Sequence, residues 1–258
     1  MKKRGEGMHQ NKVDIVGLFK LHFREKAPLF LKIPIEDQLN DHAVKLTISN
    51  AKELLDDAKI LLARGSVKSA VGLATLSFEE SGKATFVRWG KFGLTHRSLM
   101  KEMNHHQSKQ RVFQSYLFAR NIIKCLMEGS IDTTQKGYLL KILIVAALED
   151  DGSVIKEGIM NLGNVCNNSK ESAFYIDIDE NYNAIQGEYA PTFRDHVMTR
   201  AEKGLEMAQA PNEVHIIASF AEELGRHLKQ KRVWKNSAEM NSDMEKIASL
   251  SKLFEIEE

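Results

Sequence analysis

Between Pro34 and Pro191 the chain contains no proline. Over most of that stretch its apolar residues recur every three or four positions. Proline inside a helix removes a hydrogen bond and collides with the preceding turn. A long proline-free run with this period therefore reads as helix after helix. The reading that follows is an all-α fold, a helical bundle with a C-terminal helical extension.

Punctuation residues divide the run. A first long helix is predicted over 37–64, with Leu39, Ala43, Leu46, Asn50, Leu54, Ala58 and Leu61 on one face and Gly65 as its stop. Ser66 is placed to cap a second helix, 66–89. A third covers 97–127 and ends at Gly129. A fourth starts near Asp132, and 153–165 is read as one more. Residues 172–191 lose the helical period: "FYIDI" alternates as an extended segment does, and "DENYN" is turn chemistry. This segment is expected to be an ordered loop with a small strand. Pro191 opens a helix to about Ala210, Pro211 another to about Lys231, and a last one spans 238–253. The domain organisation expected is an N-terminal arm over 1–34, with a short helix at 12–23 and two prolines marking an extended part, then a helical domain over 35–210. Residues 211–258 form a helical extension on the same core.

Bulk properties exclude several classes. The net charge is +1, so no global basic field marks a nucleic-acid partner, and any such binding has to come from a local patch. Lys2, Lys3 and Arg4 are not followed by an apolar stretch with a cleavage site, so no signal peptide is read. The longest apolar run, "LLKILIVAAL" at 139–148, contains Lys141 and is too short for a membrane span. Cys125 and Cys166 make no disulfide framework; a reducing cytoplasm is expected, with both as small core residues. P-loop and kinase glycine motifs, CxxC zinc spacing and a GxSxG elbow are absent.

The chemistry-bearing residues sit in two short stretches. The uncharged decapeptide 69–78 runs into "SFEESGKATFVRW" (77–89), which brings Glu79, Glu80 and Lys83 to a helix that is apolar on all sides. Glu79 and Lys83 stand in the favourable i,i+4 order. In the next helix, an idealised turn of about 100° per residue puts Glu102, His105, His106 and Lys109 on the stripe that Phe113, Tyr116 and Leu117 continue. Polar groups in such a place must be paired or line a cleft. If the two helices pack antiparallel, both stretches meet as one ionisable cluster. His9, His22, His42, His96, His196, His215 and His227 are read as surface or internally satisfied residues.

Three chemistries suit that cluster. A metal-independent RNA-cleaving site needs a base for the ribose 2′-OH, an acid for the leaving oxygen and a cation for the developing charge; His105 or His106 supplies the first two and Lys109 or Lys83 the last. A metal site is the alternative at Glu102 and His105, whose Glu-x-x-His spacing is that of di-iron bundles. Only one such motif is present in this region, however, and Lys83 and Lys109 repel a metal. In the third reading the cluster is structural, and the protein acts by binding a partner. No cofactor is called for by any motif.

Three motifs also resemble those of one family. "LATLSFEESGKA" (73–84) is similar to the EExxGK helix of the abortive-infection protein V (AbiV) family, "NHHQSK" (104–109) to its DHKxK segment, and "KESAFYIDID…AP" (170–191) to its LYVD…P segment. Order and rough spacing match over about 40–210. The resemblance implies a HEPN-type helical domain, a role in antiphage defence and a homodimer with its site at the interface. It also implies metal-independent ribonuclease activity with RNA as substrate, or else a binding partner from phage or host. It carries Glu79, Glu80, Lys83, His106 and Lys109 over as site residues, puts His105 where the family has aspartate, and matches Asp177 to the third motif. The Arg-x4–6-His that many HEPN nucleases carry is met only by Arg4 and His9, in the polar N-terminal tail.

Overall fold

A computed structural model of the chain describes residues 14–94, 103–127, 177–178, 184–185, 191–228 and 236–249. The helices expected over 132–149 and 153–165, and the side chains of both cysteines, lie outside the described residues. The rest is helical: α1 (Ile15–Leu21), a π-helical turn (His22–Lys26), α2 (Ala27–Leu31), α3 (Ile35–Asn40), α4 (His42–Ala63), α5 (Val67–Lys91), α6 (His106–Met127), α7 (Pro191–Ala208), α8 (Asn212–Leu228) and α9 (Ser237–Ser249). The exception is a two-residue ribbon, in which Asp177–Ile178 (β1) pairs antiparallel with Ala184–Ile185 (β2). The "DENYN" stretch, read as turn chemistry, lies outside the described residues.

Helix α5 is the axis of the molecule. From Ala70 to Trp89 every residue is buried except Leu73, Leu76, Glu80, Lys83 and Val87, which form a single half-buried stripe. Three helices close on the buried faces. α4 approaches through small residues, Ala51 and Ala58 being fully buried, near enough for Ser77 Oγ to donate to the Ala51 carbonyl at 2.6 Å. α7 approaches at Gly204, where an added Cβ would lie 3.0 Å from the Phe78 ring. α6 packs Phe113 edge-on against Phe78, with ring centroids 4.8 Å apart.

The first predicted helix is two. Asp41 interrupts it and caps α4, its carboxylate accepting from the Ala43 and Val44 amides at 3.0 and 3.2 Å. The break rotates the inward face to Val44, Ala51, Leu55 and Ala58 and leaves Leu46 56 % exposed. Gly65 ends α4 at φ +80°, as the reading of 65 as a stop requires. The extended arm expected around the two prolines is helical at Pro28, which lies in α2 directly after the π-helical turn, while Pro34, at φ −53° and ψ 143° before α3, keeps an extended backbone. Ile15, Phe19 and Phe30 of this segment are fully buried, and Phe19 meets Phe220 of α8 edge-on at 5.3 Å.

Two polar cores hold the ends of the chain to α5 and α8. Arg88, fully buried, donates to Gln38 Oε1 at 2.5 Å, the Ala210 carbonyl at 2.7 Å and Asn212 Oδ1 at 2.5 Å. The Gln38 and Asn212 amides in turn satisfy the Ile33 carbonyl, each at 3.0 Å. Burial pulls this guanidinium down to about 10, with Glu213 opposing. Below it the Trp89 indole donates to Nδ1 of the buried His215 at 2.8 Å. In the second core His22 Nδ1 and Lys26 Nζ each lie 3.2 Å from Glu223 Oε2, and Ser219 Oγ is 2.8 Å from His22 Nε2.

Burial holds His22 below its ordinary 6.5, against the pull of Glu223, and holds His215 well below it, helped by the charge of Arg88. Burial pushes Glu223 up, but the hydrogen bond and charge of His22 and Lys26 bring it down to about 2. All three folded values are depressed. Their contribution to stability is present near neutrality and is lost as the pH falls, first through the two histidines below about 6.5 and then through Glu223. Thermal unfolding midpoints should therefore drop between pH 7.5 and 5.5. His215→Asn keeps an acceptor for the indole but takes up no proton there, so it should show a shallower drop; an equal slope would remove His215 from the account.

Candidate active site at the start of helix α6

Glu79 is the one carboxylate on the enclosed part of α5, 2 % exposed. A buried carboxylate is tolerated only when paired. Its Oε2 lies 2.6 Å from Nδ1 of His106 and 3.6 Å from Nζ of Lys109. Both partners come from the first turn of α6, three residues apart and hence on one side of the helix. With a carboxylate as neighbour, Nδ1 carries its proton toward Glu79 and the ring is fixed in orientation. The three side chains differ in access. Lys109 is 9 % exposed, whereas His106 is 49 % exposed. The arrangement therefore backs a solvent-facing imidazole with a buried carboxylate, and braces that carboxylate with an ammonium.

The helices meet so closely because of Gly82. A Cβ there would run into the backbone of Lys109, 3.0 Å from its carbonyl carbon and 3.2 Å from its Cα, with the carbonyl oxygen nearer still. The glycine of "EESGK" is thus the contact on which α6 rests. It sets the distance from Glu79 to the turn that carries His106.

Of the residues read as one cluster, the structure brings Glu79, His106 and Lys109 together. It does not add Glu80 and Lys83. These lie on the half-exposed stripe of α5, where Lys83 Nζ is 3.2 Å from Glu80 Oε2 and Asn50 of α4 donates to the same oxygen at 3.1 Å. Lys83 pairs with Glu80, not with Glu79 as the i,i+4 spacing suggested, because Glu79 is turned inward to α6. His105 does not join either. The third helix does not run unbroken from 97. A turn at Asn104 precedes its start at His106, and the His105 carbonyl accepts from the Ser108 and Lys109 amides at 3.1 and 3.2 Å. His105 is therefore an exposed cap residue, off the inward stripe. Glu102 lies outside the described residues. Among the described residues no group of three or more His, Cys, Asp or Glu could hold a metal ion. Asp177 pairs with Ile185 in the small ribbon.

Two features escaped the sequence reading. Asn50, placed there on an inward face, is exposed and holds Glu80. The cluster of His22, Lys26 and Glu223 is a second meeting of histidine, lysine and glutamate with the burial reversed: the histidine is 1 % and the glutamate 19 % exposed. A weak signal for it existed in "SFAEELGR" (219–226), which echoes "SFEESGK". Its partners lie at the opposite end of the chain, beyond the reach of any local pattern.

Gly82→Ala should push α6 off α5 and separate His106 from Glu79. The expected cost is about 1–3 kcal/mol of stability, as for other overpacked sites. The nitrogen chemical shifts of His106 should also lose the signature of a proton held on Nδ1. An alanine variant with both properties unchanged would show that the contact at 82 does not position the site.

The family model described as AbiV, of the HEPN class, matches residues 41–195. The match begins at the residue that caps α4 and includes α5, both motif segments and the ribbon. No match was found among curated proteins or among solved structures. No helix among the described residues is long and apolar enough to cross a membrane. A match over more than half of the chain, on motifs that the structure joins through Glu79, His106 and Lys109, makes this chain a member of the AbiV family of HEPN proteins, the abortive-infection family.

Proposed function

We propose that this protein is an antiphage defence protein that cleaves RNA without a metal, using His106 as its acid–base group. The observation that carries this reading is the pairing of a half-exposed imidazole with a buried carboxylate at 2.6 Å. With Nδ1 turned to Glu79, proton exchange with a substrate falls to Nε2. Nε2 takes the proton of a ribose 2′-OH, the 2′ oxygen attacks the phosphorus, and the 5′ oxygen leaves with a proton. The products are a cyclic phosphate and a 5′-OH end. Glu79 and Lys109 act as positioning residues, because both are enclosed. With Lys109 enclosed, this reading assigns the charge on the phosphate to Lys83, 42 % exposed at its side chain.

A homodimer belongs to the same reading. The stripe of α5 that its neighbours leave half covered carries Leu73, Leu76 and Val87 around the Glu80–Lys83 pair. A second copy seated there would bring two sites together and supply a second histidine as acid. Sedimentation should find a dimer for the wild type and a monomer for Leu76→Glu; a monomeric wild type would sink this part.

Purified protein should cleave RNA in the presence of a chelator. His106→Ala should reduce cleavage by at least about 100-fold, as for loss of an acid–base group, and abolish phage protection with the circular dichroism of a folded chain. Retained protection in that variant would replace catalysis by the other reading, in which the protein acts by binding a phage or host protein.

A further inference from the structure

The half-covered stripe of α5 mixes two kinds of side chain. Leu76, Glu80, Lys83 and Val87 fall within about 60° of arc at 100° per residue, and all four are half-buried. Charged groups on a face made for its own core need partners there, whereas a contiguous apolar patch left open to water marks a contact surface. The apolar surface continues onto α4. Asn50, which donates to Glu80 at 3.1 Å, has Leu54 one turn after it, half-buried, and Leu46 one turn before it, 56 % exposed. A carboxylate and an ammonium thus stand in the middle of a patch whose two ends are apolar.

The order of these residues along α5 is self-complementary. From the point midway between Ser81 and Gly82, Glu80 and Lys83 stand equally far on opposite sides, and so do Leu76 and Val87. A two-fold axis at that height, perpendicular to the helix, lays α5 antiparallel on a second copy. It sets Glu80 opposite the partner's Lys83 and Leu76 opposite the partner's Val87, and each contact occurs twice. An axis at Glu80 itself sets the two Glu80 carboxylates against each other instead. Within one protomer Glu80 and Lys83 form an ion pair three residues apart, with the lysine side chain 42 % exposed. Such a pair contributes little by itself, so its members change partner at little cost.

We infer that the Glu80–Lys83 pair crosses between two copies of this chain and fixes the register of a homodimer. The inference rests on the dimer of the proposed function and names the contact that specifies it. It also accounts for the second glutamate and the lysine of "EESGK", which the meeting of Glu79, His106 and Lys109 leaves out. Opposite charges face each other in this register alone, and like charges reject the neighbouring ones. Lys83 stays one turn from Glu79 in either pairing.

The test is an exchange of charge. Glu80→Lys and Lys83→Glu each set like charges face to face, so each variant alone should raise the dissociation constant of the dimer by at least about tenfold. Mixed in equal amounts, the two should form a dimer with one chain of each, because every crossed contact is again a lysine against a glutamate. Native mass spectrometry separates that species by mass. The doubly reversed chain, Glu80→Lys with Lys83→Glu, should dimerise as the wild type does without mixing. A mixture that does not pair, or a doubly reversed chain that is monomeric with the circular dichroism of a folded protein, overturns the inference. So do single variants that dimerise as tightly as the wild type. If Leu76→Glu is monomeric in that same assay, the dimer of the proposed function stands and only the crossed pair falls. A monomeric wild type removes that dimer and this inference with it. RNA cleavage enters none of these outcomes.

Discussion

The enclosure of helix α5 governs everything else in this molecule. Water reaches it along one stripe, so every polar group elsewhere on it must find a partner from another helix. Two ionisable residues fall on the enclosed faces, and each recruits a different part of the chain. Arg88 gathers the carbonyl and amide groups of residues 30–38 and 210–212. Glu79 gathers the first turn of α6. The former is a structural fastening, since all its ligands are themselves buried. The latter ends in a half-exposed histidine, and that difference in access is what makes it the candidate site.

The same contrast appears between the two meetings of histidine, lysine and glutamate. Around Glu223 the histidine is sealed and accompanied by Ser219, so the group can only hold the N-terminal segment to α8. Around Glu79 the carboxylate is sealed and the imidazole faces out. Nearly the same set of side chains thus presents opposite members to solvent. Small residues make the close contacts around α5 possible: Gly82, Gly204 and Ala51 let three helices approach it. The region matched by the AbiV model stops short of α8 and of the N-terminal helices, yet Arg88, Phe19 and Phe220 join these flanks to the same hydrophobic core.

The sequence made the class of fold legible because helical periodicity and proline are local properties. The absence of proline over 35–190, the glycine at 65, Ser66 before α5 and Pro191 and Pro211 at the starts of α7 and α8 placed those helix ends to within a few residues. The motifs at 79 and 106–109 likewise pointed to a carboxylate meeting a histidine and a lysine. Local rules misled where one residue changed the phase. Extending helices through Asp41 and Asn104 rotated the inward face of α4 and moved His105 onto a stripe from which the structure removes it. The i,i+4 rule paired Glu79 with Lys83 because it has no term for a stronger partner on another helix.

What the amino-acid order determined by itself is therefore the helical class, the extents of α5, α7 and α8 to within a few residues, the apolar surround of α5 and the residue types available to the candidate site, all consequences of interactions within a few positions. Which of two adjacent glutamates turns inward and which histidine keeps a face to solvent were decided only by tertiary packing. Those outcomes depend on the distance between helix axes at Gly82 and on the competition for one buried carboxylate, and neither quantity exists until the helices have met.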